Sequence, residues 1–368
     1  MNTTRPLPVA AALSVCLTVA ANSVEFKDFR DWHAACDNLR NCSAYGFDAD
    51  GSGVAYLRVE RDGAAAAPVR ITIAVDAEDG ATFALRFDDP ALPGLPATAQ
   101  TGELNDSGTH RRIVIDDPVA VDAFVAALRK AQKIVVTRNY PPGRAPGEDR
   151  AASAISLSGA VAALLWIDEQ QKRLNTVTAL VRLGEKLASA VPLQPKASQV
   201  HAAKPGPGAT ANKPPAALAA RAPEFCEESG EKDEEAKIEE SYTLGGGQML
   251  YAFLCPGLSG AYNFGYRLLA APAGNAAAAR LLAFRWPIKI AGLEIDVSRQ
   301  STVINPAFDS RTMTLSTFSK GRGIGDCGTA EDWVWDGAAF RLVLLRMMPH
   351  CKGIPPDEWP VLYRAERR

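Results

Sequence analysis

The side chains with the most chemistry to offer in this 368-residue chain are its seven cysteines, Cys16, Cys36, Cys42, Cys226, Cys255, Cys327 and Cys351. A thiolate can ligate a metal, attack a substrate or pair with a second thiol, and spacing separates these uses. No two cysteines have the close spacing of structural zinc ligands and no histidine pair accompanies them. Cys16 falls in a leading segment that reads as a targeting signal, and the other six form three sequence-local couples separated by 6, 29 and 24 residues. Six thiols permit many pairings and residue order does not choose among them. The simplest set is Cys36 with Cys42, Cys226 with Cys255, and Cys327 with Cys351. Such crosslinks persist in an oxidising compartment, and each of the two longer loops, once closed, contributes about 3 to 4 kcal/mol in the chain-entropy model.

Two other strings invite a functional reading. DADGSG at 48–53 places Asp48, Asp50 and Ser52 like the alternating oxygen ligands that open a calcium loop, which makes them weak metal candidates. The match then fails, because Val59 stands where the loop needs a bidentate Glu and Glu60 comes one place late; a polar hairpin turn accounts for the same residues. KGRGIGDCG at 320–328 is glycine-rich, yet a dinucleotide loop needs glycine where Asp326 stands and a helix directly after, and no Walker-type lysine follows. No cofactor is expected. Arg322, Asp326, Trp333, Trp335 and Asp336 instead make a possible interaction patch, with core packing of the tryptophans as the competing reading. Gly257-Leu258-Ser259-Gly260 brings its second glycine one position early for a nucleophile elbow, and His33, His110, His201 and His350 are scattered. No catalytic residue is assigned, and carboxylates assembled by the fold remain the route to hydrolytic chemistry.

These residues need elements to hold them. Residues 1–21 carry Arg5, then an apolar run from Val9 to Ala21, too short to span a bilayer, so a cleaved secretory signal peptide is expected. Val15 before Cys16 fits a lipoprotein cleavage box poorly. The strings GVAYLRVERDG, PVRITIAVDAEDGATFALRFDD and KIVVTR read as strands with imperfect alternation. A helix is expected after Asp117-Pro118, with Val121, Phe124, Val125 and Leu128 inward, and a second after Ser158 as N-cap, with Val161, Leu164, Leu165 and Asp168 inward. Residues 192–223 hold seven prolines and ten alanines without an aromatic or an acid, the composition of an extended linker. An acidic run from Glu227 to Glu240 reads as a solvated loop, and DWVWDGAAFRLVLLRM as a hairpin turning at Asp336-Gly337. The expected fold is therefore α+β and predominantly β. Two β-rich domains of antiparallel sandwich or meander sheets, 22–191 with two short helices and 224–368 with disulfides, are joined by that linker. With 40 Lys+Arg against 42 Asp+Glu, the concentrated basic face that nucleic acid requires is absent, and no transmembrane span is expected after signal cleavage.

FRDWHAACDNLRNCSAYGF at 29–47, SLSGAVAALLWIDEQQ at 156–171, CPGLSGAYN at 255–263 and KGRGIGDCGTAEDWVWDGAAFRL at 320–342 together resemble the bacterial family known as domain of unknown function 1176. The first half also resembles the invasion-associated locus B proteins, a β-rich exported group. The resemblance implies a periplasmic or envelope protein of a Gram-negative bacterium and carries over no catalytic residue. The expected role is a non-enzymatic binding or interaction module whose partner is an envelope component or another exported protein. An envelope hydrolase working through fold-assembled carboxylates is the alternative.

Overall fold

The computed structural model describes residues 23–50, 55–76, 82–92, 95, 103–104, 110–139, 152–206, 215–226, 236–291, 293 and 300–368. The leading segment 1–21 and the acidic residues 227–235 lie outside them. The fold is α+β and mostly β. A seven-stranded antiparallel sheet runs, edge to edge, Phe26–Phe29, Trp32–Cys36, Cys42–Phe47, Ala55–Arg61, Val69–Asp76, His110–Ile115 and Glu103–Leu104. One face of it packs on helix α1 (Pro118–Leu128), helix α2 (Ala160–Gln170) and a three-stranded sheet of Thr82–Phe87, Lys133–Asn139 and Ala152–Ser156.

Its other face is covered by the carboxy-terminal half, where Gly328–Trp335 and Phe340–Met348 are neighbours in a five-stranded antiparallel sheet. A second sheet there is built around Lys237–Leu244, Gln248–Leu254 and Gly265–Pro272. Covering both faces explains the imperfect alternation: Trp32–Cys36 and Cys42–Phe47 are buried at every position. Trp32, Ala34, Cys42, Ala44, Leu57 and Ile73 face the helices, while Tyr45, Phe47, Tyr56 and Ala74 face Met348, Ile354 and Trp359 from the far end of the chain.

The α1 start follows the expectation. The Asp117 carboxylate accepts the Ala120 N–H and Pro118 occupies the first turn, turning Val121, Phe124, Val125 and Leu128 inward. Helix α2 differs from it. Its N-cap is Gly159, at φ 102°, because the chain passes so close to the first hairpin that a Cβ there would lie 1.7 Å from the Phe29 carbonyl oxygen. Ser158 is thereby one residue too early, and the buried face is Ala160, Ala163, Leu164, Trp166, Ile167 and Asp168, leaving Leu165 exposed.

The described part of 192–223 lies against the body. Gln199–Val200 pairs in parallel with Glu366–Arg367, Ala203 N–H donates to the Trp335 carbonyl, and Leu218 and Ala222 are buried beside Cys226 and Cys255. A stretch with few side chains to bury still has a backbone that pairs, and small alanines pack without needing a pocket. Among the described residues no helix is long and apolar enough to cross a membrane.

Replacing Gly159 by Ala is expected to cost about 2 kcal/mol or more, from the left-handed φ and the forced retreat of the Phe29 backbone. Gly246→Ala has the same backbone handicap but open space around it, so its urea midpoint should fall by clearly less.

Candidate functional site

The two halves meet along a seam that is apolar at one end and charged at the other. Glu358, only 3% exposed, faces Arg58 Nη1 at 3.3 Å and Arg112 Nη1 at 3.8 Å, and its backbone carbonyl accepts the Tyr45 hydroxyl at 2.8 Å. Arg58 is shared with Glu60 at 3.0 Å. Burial pushes the Tyr45 and Tyr56 hydroxyls and the Glu60 carboxyl above their ordinary ranges. A second contact ties the first disulfide loop to the chain end. Arg364 Nε donates to Asp37 Oδ2 at 2.6 Å, and Asn38 exchanges hydrogen bonds with the Arg364 backbone in both directions. Inside the amino-terminal half, Arg61 and Asp168 form a fully buried pair at 2.8 Å, with Asp168 also accepting the N–H groups of Leu180 and Val181. These groups hold elements together, and Tyr45, Arg61, Asp168 and Glu358 are buried.

Open to solvent at the seam is a cleft of about 140 Å³ lined by Asp28, Arg30, Asp31, Asp48, His350 and Lys352, among others. Asp28 and His33 are cross-strand partners of the first hairpin, and His350 arrives from the loop after Phe340–Met348, beside Cys351. Asp28 Oδ1 lies 2.8 Å from His33 Nδ1 and 2.8 Å from His350 Nε2. The His33 hydrogen bond, with help from His350, holds the Asp28 carboxyl at about 2. Burial lowers the His33 imidazole, outweighing the opposing pull of Asp28.

A second feature brings two sequence motifs into contact. Asn263 Nδ2 donates to the Lys320 carbonyl and its Oδ1 accepts the Lys320 N–H, both at 2.9 Å. Asn305 Nδ2 donates to the Phe318 carbonyl at 2.8 Å while its Oδ1 accepts the Phe264 N–H at 3.0 Å. The 255–263 string is thus fastened to the 320–328 string, which the Cys327–Cys351 disulfide fixes in turn. From this frame Tyr262, Phe264 and Ile324 project at 37%, 49% and 76% exposure.

The family model for proteins of unknown function DUF1176 matches residues 26–366, nearly the whole described structure. The chain belongs to the DUF1176 family. It is 28% identical over 356 residues to the uncharacterised protein YpfG of Escherichia coli strain K12, covering 91% of each chain. The crystal structure of invasion associated protein B from Bartonella henselae matches 40% of the chain and 98% of its own, at 21% identity and a TM-score of 0.30.

In this DUF1176 member the expected crosslinks form as Cys36–Cys42, Cys226–Cys255 and Cys327–Cys351. Asp48 is buried at a bridge to Ile155 and Asp50 is exposed, while Ser52 lies outside the described residues. The five residues of the possible interaction patch do not share one surface. Trp333 and Trp335 are 1% and 0% exposed in the carboxy-terminal core. Arg322 grips Asp326 with two bonds of 2.7 and 2.6 Å, and Asp326 also accepts the Gly353 N–H. Asp336 caps its own turn through Ala338 and Ala339 N–H and pairs with Arg341. Sequence reasoning missed Asp28, Glu358, Tyr262, Phe264 and Ile324. A lone acid or apolar residue in a strand or turn carries no local signal of a partner some 300 positions away, as Asp28 and His350 are, with |i−j| 322.

Both groups at the cleft predict acid sensitivity. Unfolded His33 binds a proton below its ordinary 6.5 while the folded residue, with a lowered value, does not, so stability falls as pH drops through 6.5. Asp28 contributes stability above 3.8 that disappears only as pH falls from there towards 2. The urea midpoint should therefore drop between pH 7 and 5, and His33→Gln should flatten that part of the profile.

Proposed function

We propose that this DUF1176 protein is an exported binding module of the bacterial envelope that works without a catalytic step and whose partner is another exported protein. The observation that carries this reading is the Tyr262–Phe264–Ile324 projection. Large apolar side chains held in water by a crosslinked, hydrogen-bonded frame are costly to expose and already ordered for contact, which lowers the entropy lost on binding. Lys320, whose backbone is fastened to Asn263, and Arg322 lie in the same segment as Ile324 and bring positive charge to it.

Export is supported by three disulfides, which an oxidising compartment maintains, together with the signal-like residues 1–21. Asp28, Asp309 and Asp336, which line three separate clefts, have carboxyls held below their ordinary range, which suits none of these three to act as a general acid. Glu331 is raised by burial, but Trp286, Trp333 and Thr317 occupy its oxygens with bonds of 2.8, 3.0 and 2.8 Å.

A photo-crosslinking residue at position 264 or 324 should, in cells, capture a discrete exported protein. Ile324→Asp should abolish the product while shifting stability by no more than about 0.5 kcal/mol, as expected for an exposed site. An unchanged product pattern in the variant, or a mature protein recovered with residues 1–21 attached in the cytoplasm, would count against the reading.

A further inference from the structure

Asp28, His33 and His350 offer one oxygen and two imidazole nitrogens that all lie within 4.8 Å of one another. Metal–ligand bonds of about 2.0 to 2.2 Å place neighbouring ligand atoms roughly 3.0 to 3.5 Å apart in octahedral to tetrahedral geometry. The observed 2.8 Å separations from Asp28 Oδ1 to each ring need to open by only a few tenths of an ångström to admit an ion. We propose that this trio is a divalent transition-metal site of the zinc type, with two histidines and one carboxylate from the protein and an open position facing the cleft.

Three observations converge on it. His33 sits on a strand buried at all five positions, 1% exposed, with its Nε2 left without a hydrogen-bond partner. Burying an imidazole here is costly, and the nitrogen it turns towards Asp28 is Nδ1, the atom placed to ligate, while Nε2 stays in the interior. Second, the ligands ride on stiff supports. Asp28 and His33 are register partners of one hairpin, and His350 is next to the crosslinked Cys351. Third, the donor set is graded from closed to open. His33 is enclosed, His350 is one-third exposed and Asp28 about half exposed, so the ion has a route in and room for a water or small anion.

The chemistry selects the class of ion. Two neutral imidazoles and a carboxylate suit zinc and its borderline neighbours, whereas calcium and magnesium prefer all-oxygen shells. Asp31 and Asp48 on the cleft wall add negative charge, and Arg30 and Lys352 stand ready for an anionic further ligand. Among the described residues, the other grouping of potential ligands, Asp326 with Cys327 and Cys351, is closed to metal because both sulfurs are spent in the disulfide. An ion bound at the trio would join the first hairpin to the loop after residue 348 and so clamp the two halves across the seam.

The test uses the full mature protein, stripped with a chelator, its disulfides intact, and titrated with Zn²⁺ by calorimetry and with Co²⁺ by visible absorption. Saturation at one ion per chain, an imidazole-type Co²⁺ ligand-field spectrum and a Zn²⁺-dependent rise in melting temperature are expected. His350→Ala and Asp28→Asn, both at partly exposed positions, should each weaken binding at least tenfold and erase the thermal shift, while His201→Ala changes neither. Two different substitutions guard against a folding defect in one, with circular dichroism as the check. Failure to saturate at one equivalent, or undiminished binding in both variants, which marks adventitious surface ions, would overturn the proposal.

Discussion

Arg58 and Glu358 meet 3.3 Å apart, out of water, where one face of the seven-stranded sheet passes from apolar core to charge. Burying a carboxylate and a guanidinium is costly unless each finds its partner in good geometry, so this contact tolerates little slippage between the halves. Tyr45 bonding to the Glu358 carbonyl and Trp359 packing in the same cluster fix both sides of it. Everything at the cleft inherits that registry. Asp28 reaches His350 because the carboxy-terminal segment carrying Met348, Ile354 and Trp359 and the hairpin that presents Asp28 are held by the same seam.

The disulfides act on a shorter scale. Each closes a loop within one half, tying Cys36 to Cys42 at the first hairpin, Cys226 to Cys255 beside Leu218 and Ala222, and Cys327 to Cys351 behind the glycine-rich turn. They stiffen the places from which Asp37, Phe264 and His350 act, and they leave long-range order to packing. Local crosslinks of this kind can form before distant strands meet.

Much of the local structure was legible. The Asp117-Pro118 start, the inward stripe of α1 and the Asp336-Gly337 turn follow from short-range stereochemistry and are found, and the cysteines pair as the simplest of the sets that residue order left open. Legibility failed where a distant backbone or surface intervened. Gly159 displaced Ser158 as cap because Phe29 lies against it. Trp333 and Trp335 entered the core because the second sheet covers them. Gln199–Val200 found a strand partner in the last residues of the chain.

By itself the sequence determined what could be settled by neighbours: strands and turns, a capped helix, a near-balanced charge and a membership written in long motifs. Only the tertiary structure decided which faces of those strands are dry. A strand's period of two tells which residues share a face, but whether one face or both are buried depends on what the rest of the chain lays across it. Here both are covered, so His33 is enclosed instead of solvated. Asp28 and His350, separated by 322 positions, become neighbours, and Tyr262, Phe264 and Ile324 stay outside a core that had room for two tryptophans.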